Sequence, residues 1–406
     1  MHPILKLVVT VVLIIIVVFV MLLILEGTLR LVFGSPGRRS LQNSPYTFNQ
    51  DYLVSMKPDF TDTFVRSKEN GGDTIIWKTN SQGFRGNELS KSPDYRLLVY
   101  GDSNILARFS KDENTFVSQL QSFQNLLYPN KQVEVINAGL VGSGTDQAVI
   151  RMRKDLPILK PNLVILHIFA SNDMGDVIRN RLFELDKDDN LVRTSFPVLP
   201  DPELRSQKGF QYFIQSTKLY SLAARINKYI TNDRSKNPTI FINEISAVNT
   251  SEFDVYQQHQ PLKYSHFSDH YDLDVATNPK AISSKTKIKL LSKLLIEAQN
   301  ICAENNTNLM VLIQPAVFDL CQNHLFGPKE LSTYKDYKAD YLSRIIEHTC
   351  QDINIPTLNL YTPFSTLNPS ELYFRINDDH WNDKGQKLAA QLMSDYINKN
   401  NLLINN

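Results

Sequence analysis

The longest apolar run opens the chain: Leu7 to Leu25, LVVTVVLIIIVVFVMLLIL, is interrupted only by Thr10. As a helix it rises about 28 Å, close to the roughly 30 Å hydrocarbon thickness of a bilayer. It is too long for a signal-peptide core and no Ala-x-Ala cleavage site follows. Residues 1–34 are therefore predicted to be a single-pass membrane anchor, with a cleaved signal as the alternative. Lys6 precedes the span and Arg30, Arg38 and Arg39 follow it, so the flanking charges do not fix an orientation. Residues 35–50 are polar with two prolines and read as a linker. Residues 51–94 hold short strand-like pieces such as DTIIWKT, and residues 80–86 read NSQGFRG.

From residue 95 the pattern changes. Short apolar runs at 96–100, 132–136, 162–169, 308–313 and 355–360 predict strands. Helical periodicity predicts helices at 112–126, 145–155, 285–304, 333–350 and 383–398, the last capped by Asn382 or Asp383. Apolar strands alternating with helices require a parallel sheet covered on both faces. The expected fold is a doubly wound, flavodoxin-like, five-stranded parallel sheet in three α/β/α layers, spanning residues 95–398. A tail, 399–406, follows it. Residues 35–94 form a linker and extension, and residues 176–284 form an insert because they break the alternation. Within the insert, residues 182–196 read as a hairpin around an acidic turn whose spacing fits no EF-hand loop. A segment with His259, His266, Asp269, His270 and Asp272 reads as a loop or lid, metal binding being the alternative.

Composition narrows the function. The 406 residues are 42% hydrophobic and 21% charged, as in a globular protein, and a net charge of +1 makes nucleic acid an unsuitable partner. Cys302, Cys321 and Cys350 are too few for a disulfide framework or a Cys-x-x-Cys zinc site and read as buried thiols. No metal and no cofactor is expected.

The chemistry collects after the strands, where ligands bind in open parallel sheets. The first strand runs into Gly101-Asp102-Ser103 and the second into NAGLVGSGT at 137–145. The third meets Ala170-Ser171-Asn172-Asp173, and the fifth leads to NDDHWNDKG at 377–385, carrying His380. A hydroxyl, a glycine-rich turn, an amide and an imidazole at one sheet edge are the parts acyl transfer requires. Imidazole removes the hydroxyl proton, and a carboxylate orients the imidazole. Backbone N–H groups and an amide receive the oxyanion. Asp102 reads as a cap, Gln314-Pro315 as pocket lining, and His167 as a core histidine.

These four blocks resemble those of the SGNH (GDSL) hydrolase family, and NSQGFRG with the N-terminal span resembles its membrane-anchored bacterial branch. The resemblance implies Ser103 as nucleophile and His380 as base. It also implies the Ser103 N–H, the Gly142 N–H and the Asn172 side chain as the oxyanion hole. Two departures stand out: Ala170 replaces the glycine that usually opens the third block, and Asn377 occupies the usual Asp-x-x-His acid position. An Asp-x-His arrangement, as in members resembling polysaccharide O-acetyltransferases, makes Asp378 the orienting acid, while Asp379 points elsewhere. The implied activity is hydrolysis of acyl esters, O-acetyl or other short-chain, on an envelope carbohydrate or lipid, from the extracytoplasmic (periplasmic) side. O-acyl transfer to a glycan uses the same residues. A silent, membrane-tethered glycan-binding protein and a metal-dependent hydrolase are the competing classes.

Overall fold

A computed structural model describes residues 3–33, 45–194, 217–220, 222–223, 238–259, 271–322, 324–375 and 378–403. The chain divides into two compact units: residues 1–44 with 205–237, and residues 45–204 with 238–406. In the first unit, Pro3–Phe33 is one helix without a buried face. It is long and apolar enough to cross a membrane.

The second unit opens with two antiparallel pairs. Tyr46–Asn49 (β1) pairs antiparallel with Leu53–Met56 (β2), and Thr61–Val65 (β3) pairs with Thr74–Lys78 (β4). Tyr46, Leu53, Val54, Ile75 and Trp77 are buried in the same core as the main sheet. The end of the expected linker is thus a strand. Alternating Tyr46 and Phe48 supply its apolar positions, and most of the stretch before it lies outside the described residues.

The main sheet contains Tyr95–Gly101 (β5), Val133–Gly139 (β6), Leu163–Phe169 (β7), Asn308–Gln314 (β10) and Thr357–Asn359 (β11). All its pairings are parallel, in the order β11-β10-β7-β5-β6. Counted along the sheet's own strands this is 2-1-3-4-5, the flavodoxin-like order expected. Both faces are buried, which is why the strands read as continuous apolar runs. Leu98, Tyr100, Val164, Leu166, Val311 and Ile313 face one core with the helices Thr145–Leu159, Asp173–Asn180, Ile282–Glu304 and Tyr341–Asp352. Leu97, Val99, Leu163, Ile165, Met310 and Leu312 face the other, with Phe116–Leu127 and Asp383–Lys399.

The helix expected over 333–350 begins only at Tyr341. The preceding residues form turns, and the Tyr337 hydroxyl donates to the buried Asp319 carboxylate at 2.9 Å, a tertiary bond that overrides local propensity. In the insert, Phe183–Leu185 (β8) and Leu191–Arg193 (β9) pair antiparallel as the hairpin predicted there. His266, Asp269 and His270 lie outside the described residues. The three cysteines are free and buried.

Candidate active site

The strand β5 ends in a turn that only a small residue permits. A Cβ on Gly101 would stand 2.5 Å from Ile105 Cγ1 and 3.0 Å from His167. One residue on, Asp102 caps the short helix Ser103–Leu106: its Oδ1 accepts from the Asn104 amide at 2.8 Å. Ser103 therefore stands at the carboxyl end of β5, between β7 and the edge strand β6. On one side β6 pairs with β5, Gly139 opposite Gly101. A Cβ on Gly139 would lie 2.2 Å from Leu106 N, so the first two blocks pack backbone against backbone. Beyond it, Gly142 has φ 62°, a left-handed conformation that glycine takes without strain. On the other side β7 pairs with β5, and its end leads to Asn172 immediately before the helix Asp173–Asn180. Gly142 and Asn172 thus stand on the loops that flank the serine turn.

His380 arrives from the far end of the chain. Asn382 caps the helix Asp383–Lys399, its Oδ1 accepting from Lys384 N and Gly385 N, which settles the choice between Asn382 and Asp383. Trp381 is buried and stacks on Phe116 at 5.7 Å, fixing the residue beside His380 in the core. The imidazole then makes two short bonds: Nε2 lies 2.7 Å from Ser103 Oγ, and Nδ1 lies 2.7 Å from Asp378 Oδ1. The same carboxylate oxygen accepts the His380 backbone N–H at 3.0 Å, so the acid is locked in a tight turn. Phe109 meets the imidazole edge-on at 5.2 Å.

Two expectations need correction. Asp379 does not point away: its Oδ1 is 3.4 Å from His380 Nδ1, because the turn at 378–380 brings both consecutive carboxylates to one ring nitrogen. Gln314 does not line a pocket. It is fully buried, Nε2 donating to Asn104 Oδ1 at 3.1 Å and Oε1 lying 3.0 Å from His167 Nε2. His167 is the core histidine expected, with Asp102 3.6 Å away on its other nitrogen. Asn377 lies outside the described residues.

Sequence reasoning missed Asn104. Its Oδ1 accepts from Trp381 N at 3.3 Å and its backbone carbonyl from Trp381 Nε1 at 3.0 Å. The neighbour of the serine is thereby joined to the neighbour of the histidine. Only its adjacency to Ser103 could have drawn attention to it.

The electrostatics follow from the pairing. Burial alone would pull the His380 pKa down, but the hydrogen bond and charge of Asp378, then the charges of Asp379 and Asp102, raise it to about 9. For Asp378, burial pushes upward and is outweighed by the hydrogen bonds and charge of His380, which hold it below the usual carboxylate value. Asp173 is driven well up by burial and by the charges of Asp102 and Asp176. Among the described residues, Asp378, Asp379 and His380 are the one group of acidic, histidine or cysteine side chains close enough to share a metal ion, their ligand atoms lying within 4.8 Å. His259 instead approaches Glu184 at 3.5 Å, and Asp272 and Asp274 are bonded to Lys287.

No protein-family model and no curated relative matches the chain. Among solved structures it is similar to the acetyl xylan esterase AlAXEase, with a TM-score of 0.37 and 14% identity over 74% of this chain and 99% of that one. A lipase/acylhydrolase from Enterococcus faecalis gives 0.37 and 11% over 75% and 96%. TesA gives 0.37 and 12% over 76% and 99%. In its own sheet order this chain has a doubly wound, flavodoxin-like fold, with the four sequence blocks gathered on the carboxyl edge of that sheet.

Proposed function

We propose that the protein is a serine-dependent esterase acting on short-chain acyl esters, O-acetyl first among them, of an envelope glycan or lipid. One observation carries this reading: Ser103 Oγ, the His380 imidazole and the Asp378 carboxylate form a continuous hydrogen-bonded line with both bonds at 2.7 Å. Neutral His380 takes the Ser103 proton on Nε2 as Oγ attacks the ester carbonyl, and Asp378 keeps Nδ1 protonated and stabilises the imidazolium. The oxyanion is received by the Ser103 and Gly142 N–H groups and the Asn172 amide. Collapse expels the alcohol, which takes the proton from Nε2. Water then repeats the sequence on the acyl-Ser103 ester, releasing the acid and the free serine. A glycan hydroxyl in place of that water would make the same residues an O-acyltransferase. The apolar Pro3–Phe33 helix supports tethering to a membrane, and the extracytoplasmic side is the one implied by the sequence resemblance.

Ser103→Ala should abolish p-nitrophenol release from p-nitrophenyl acetate and remove labelling by a fluorophosphonate, with an unchanged circular dichroism spectrum. Wild-type turnover in that variant refutes the nucleophile. Absence of labelling in the native protein favours a silent binding protein.

A further inference from the structure

The insert returns to the sheet at Tyr271–Asp274, and there a single residue grips the backbone on both sides of Asn172. Asp272 donates its amide to Ser171 O at 2.6 Å. Its Oδ2 accepts from Met174 N and from Gly175 N, each at 3.1 Å. One bond falls just before Asn172 and two fall just after it. The approach is so close that a Cβ on Gly175 would stand 2.8 Å from Asp272 Oδ1.

This clamp is itself held. Lys287, on the helix Ile282–Glu304, places Nζ 2.9 Å from Asp272 Oδ1 and 2.7 Å from Asp274 Oδ1. The side chains of Asp272 and Lys287 are 0% and 2% exposed. A buried carboxylate is tolerated only when paired and hydrogen-bonded, and here both conditions are met on its two oxygens. The pairing also matters for charge. Burial comes first, and then the charges of Asp102, Asp176 and Asp272 all oppose ionisation of Asp173, the residue after Asn172. An unpaired Asp272 would add to a field that repels an oxyanion.

We propose that Asp272, braced by Lys287, is a positioning residue for Asn172, and that the returning insert sets the oxyanion hole through it. The inference rests on the esterase reading above. An amide displaced by about 1 Å from the oxyanion costs on the order of 100-fold in rate, which bounds the effect from above.

The test is a double-mutant cycle between Asn172→Ala and Asp272→Ala on the full-length protein, read as kcat and KM for p-nitrophenyl acetate. Asn172→Ala should lower kcat by about 100- to 1000-fold. Asp272→Ala should lower it by about 10- to 100-fold with KM changed less than about threefold. In the Asn172→Ala background the Asp272 substitution should cost less than about threefold more, because its target is gone. Asp272→Asn, which keeps an oxygen for the two amides, should recover most of the loss. A purely structural role predicts the opposite: losses that multiply in the double variant. That result, an effect confined to KM, or full kcat in folded Asp272→Ala overturns the proposal. If thermal melting shows Asp272→Ala unfolded, Lys287→Met, which removes the brace on the Asp272 carboxylate, takes its place in the cycle, with the same criterion. Activity that survives Ser103→Ala would instead overturn the esterase reading, so the two failures are distinguishable.

Discussion

The pH profile of the proposed esterase activity offers the sharpest test of the His380 site. General-base catalysis needs the neutral imidazole, whose pKa two nearby carboxylates raise to about 9. At pH 7 only about 1% of the free enzyme then carries the base form, from the ordinary titration relation. Between pH 6 and 8, kcat/KM should climb about tenfold per unit and level off near pH 9 to 10. Stability should move the opposite way. A histidine whose folded pKa lies above its unfolded value contributes stability that is whole below about pH 6.5 and is lost as pH rises through about 9. That contribution is at most roughly 3 kcal/mol. Asp378, held below its usual value, contributes at neutral pH and loses its share only in acid. From pH 6.5 to 9, therefore, the melting temperature should fall while kcat/KM rises. Asp378→Asn removes the strongest upward influence on the imidazole, so its inflection should drop by at least about one pH unit, with a lower plateau. Asp379→Asn should move the inflection less, since that carboxylate stands 3.4 Å rather than 2.7 Å from Nδ1. Rates are best taken by pH-stat on an acetylated oligosaccharide, because nitrophenyl esters hydrolyse spontaneously in base. A wild-type inflection near 6.5, or one that Asp378→Asn leaves in place, would refute the assignment of both carboxylates.

Three further outcomes are expected. Asn104→Ala strands the Trp381 N–H and the Gln314 amide, each loss costing about 1–3 kcal/mol. It should also loosen His380 against Ser103, lowering kcat by about 10- to 100-fold at nearly constant KM. Gly139→Ala forces a Cβ to within 2.2 Å of Leu106 N, and urea denaturation should show a loss of at least about 1–3 kcal/mol. Dialysis against EDTA should leave the rate unchanged, because both His380 nitrogens are bonded to Asp378 and Ser103. Inactivation reversed by a divalent cation would instead make Asp378, Asp379 and His380 a metal site.

How far a sequence discloses such a site depends on whether the interaction leaves a period or a local motif. Strands β5 and β7 do, because a strand buried on both faces is an apolar run, and the Ser103 and Asn172 blocks begin where those runs stop. The His380 block is legible by its motif just before the helix Asp383–Lys399, well past the end of β11. Asn104 and Trp381 leave no such trace: their contact spans 277 positions and depends on two loops meeting. The nearness of Asp379 to Nδ1 depends on a turn geometry that three consecutive polar residues do not specify. Lys287 is the instructive case, because a signal was present. The buried stripe of its helix runs Lys287, Leu290, Leu291, Leu294, Ala298 and Ile301, so a lysine occupies a core position in the middle of helical periodicity. Burying an ammonium group without a partner is prohibitive, so that placement alone demands a carboxylate in the core. The short run Tyr271-Asp272-Leu273-Asp274, in a segment otherwise read as a loop, holds the acids that answer it. A charge inside an apolar stripe is thus a demand for a partner, and here that partner, Asp272, ties the insert to the third block.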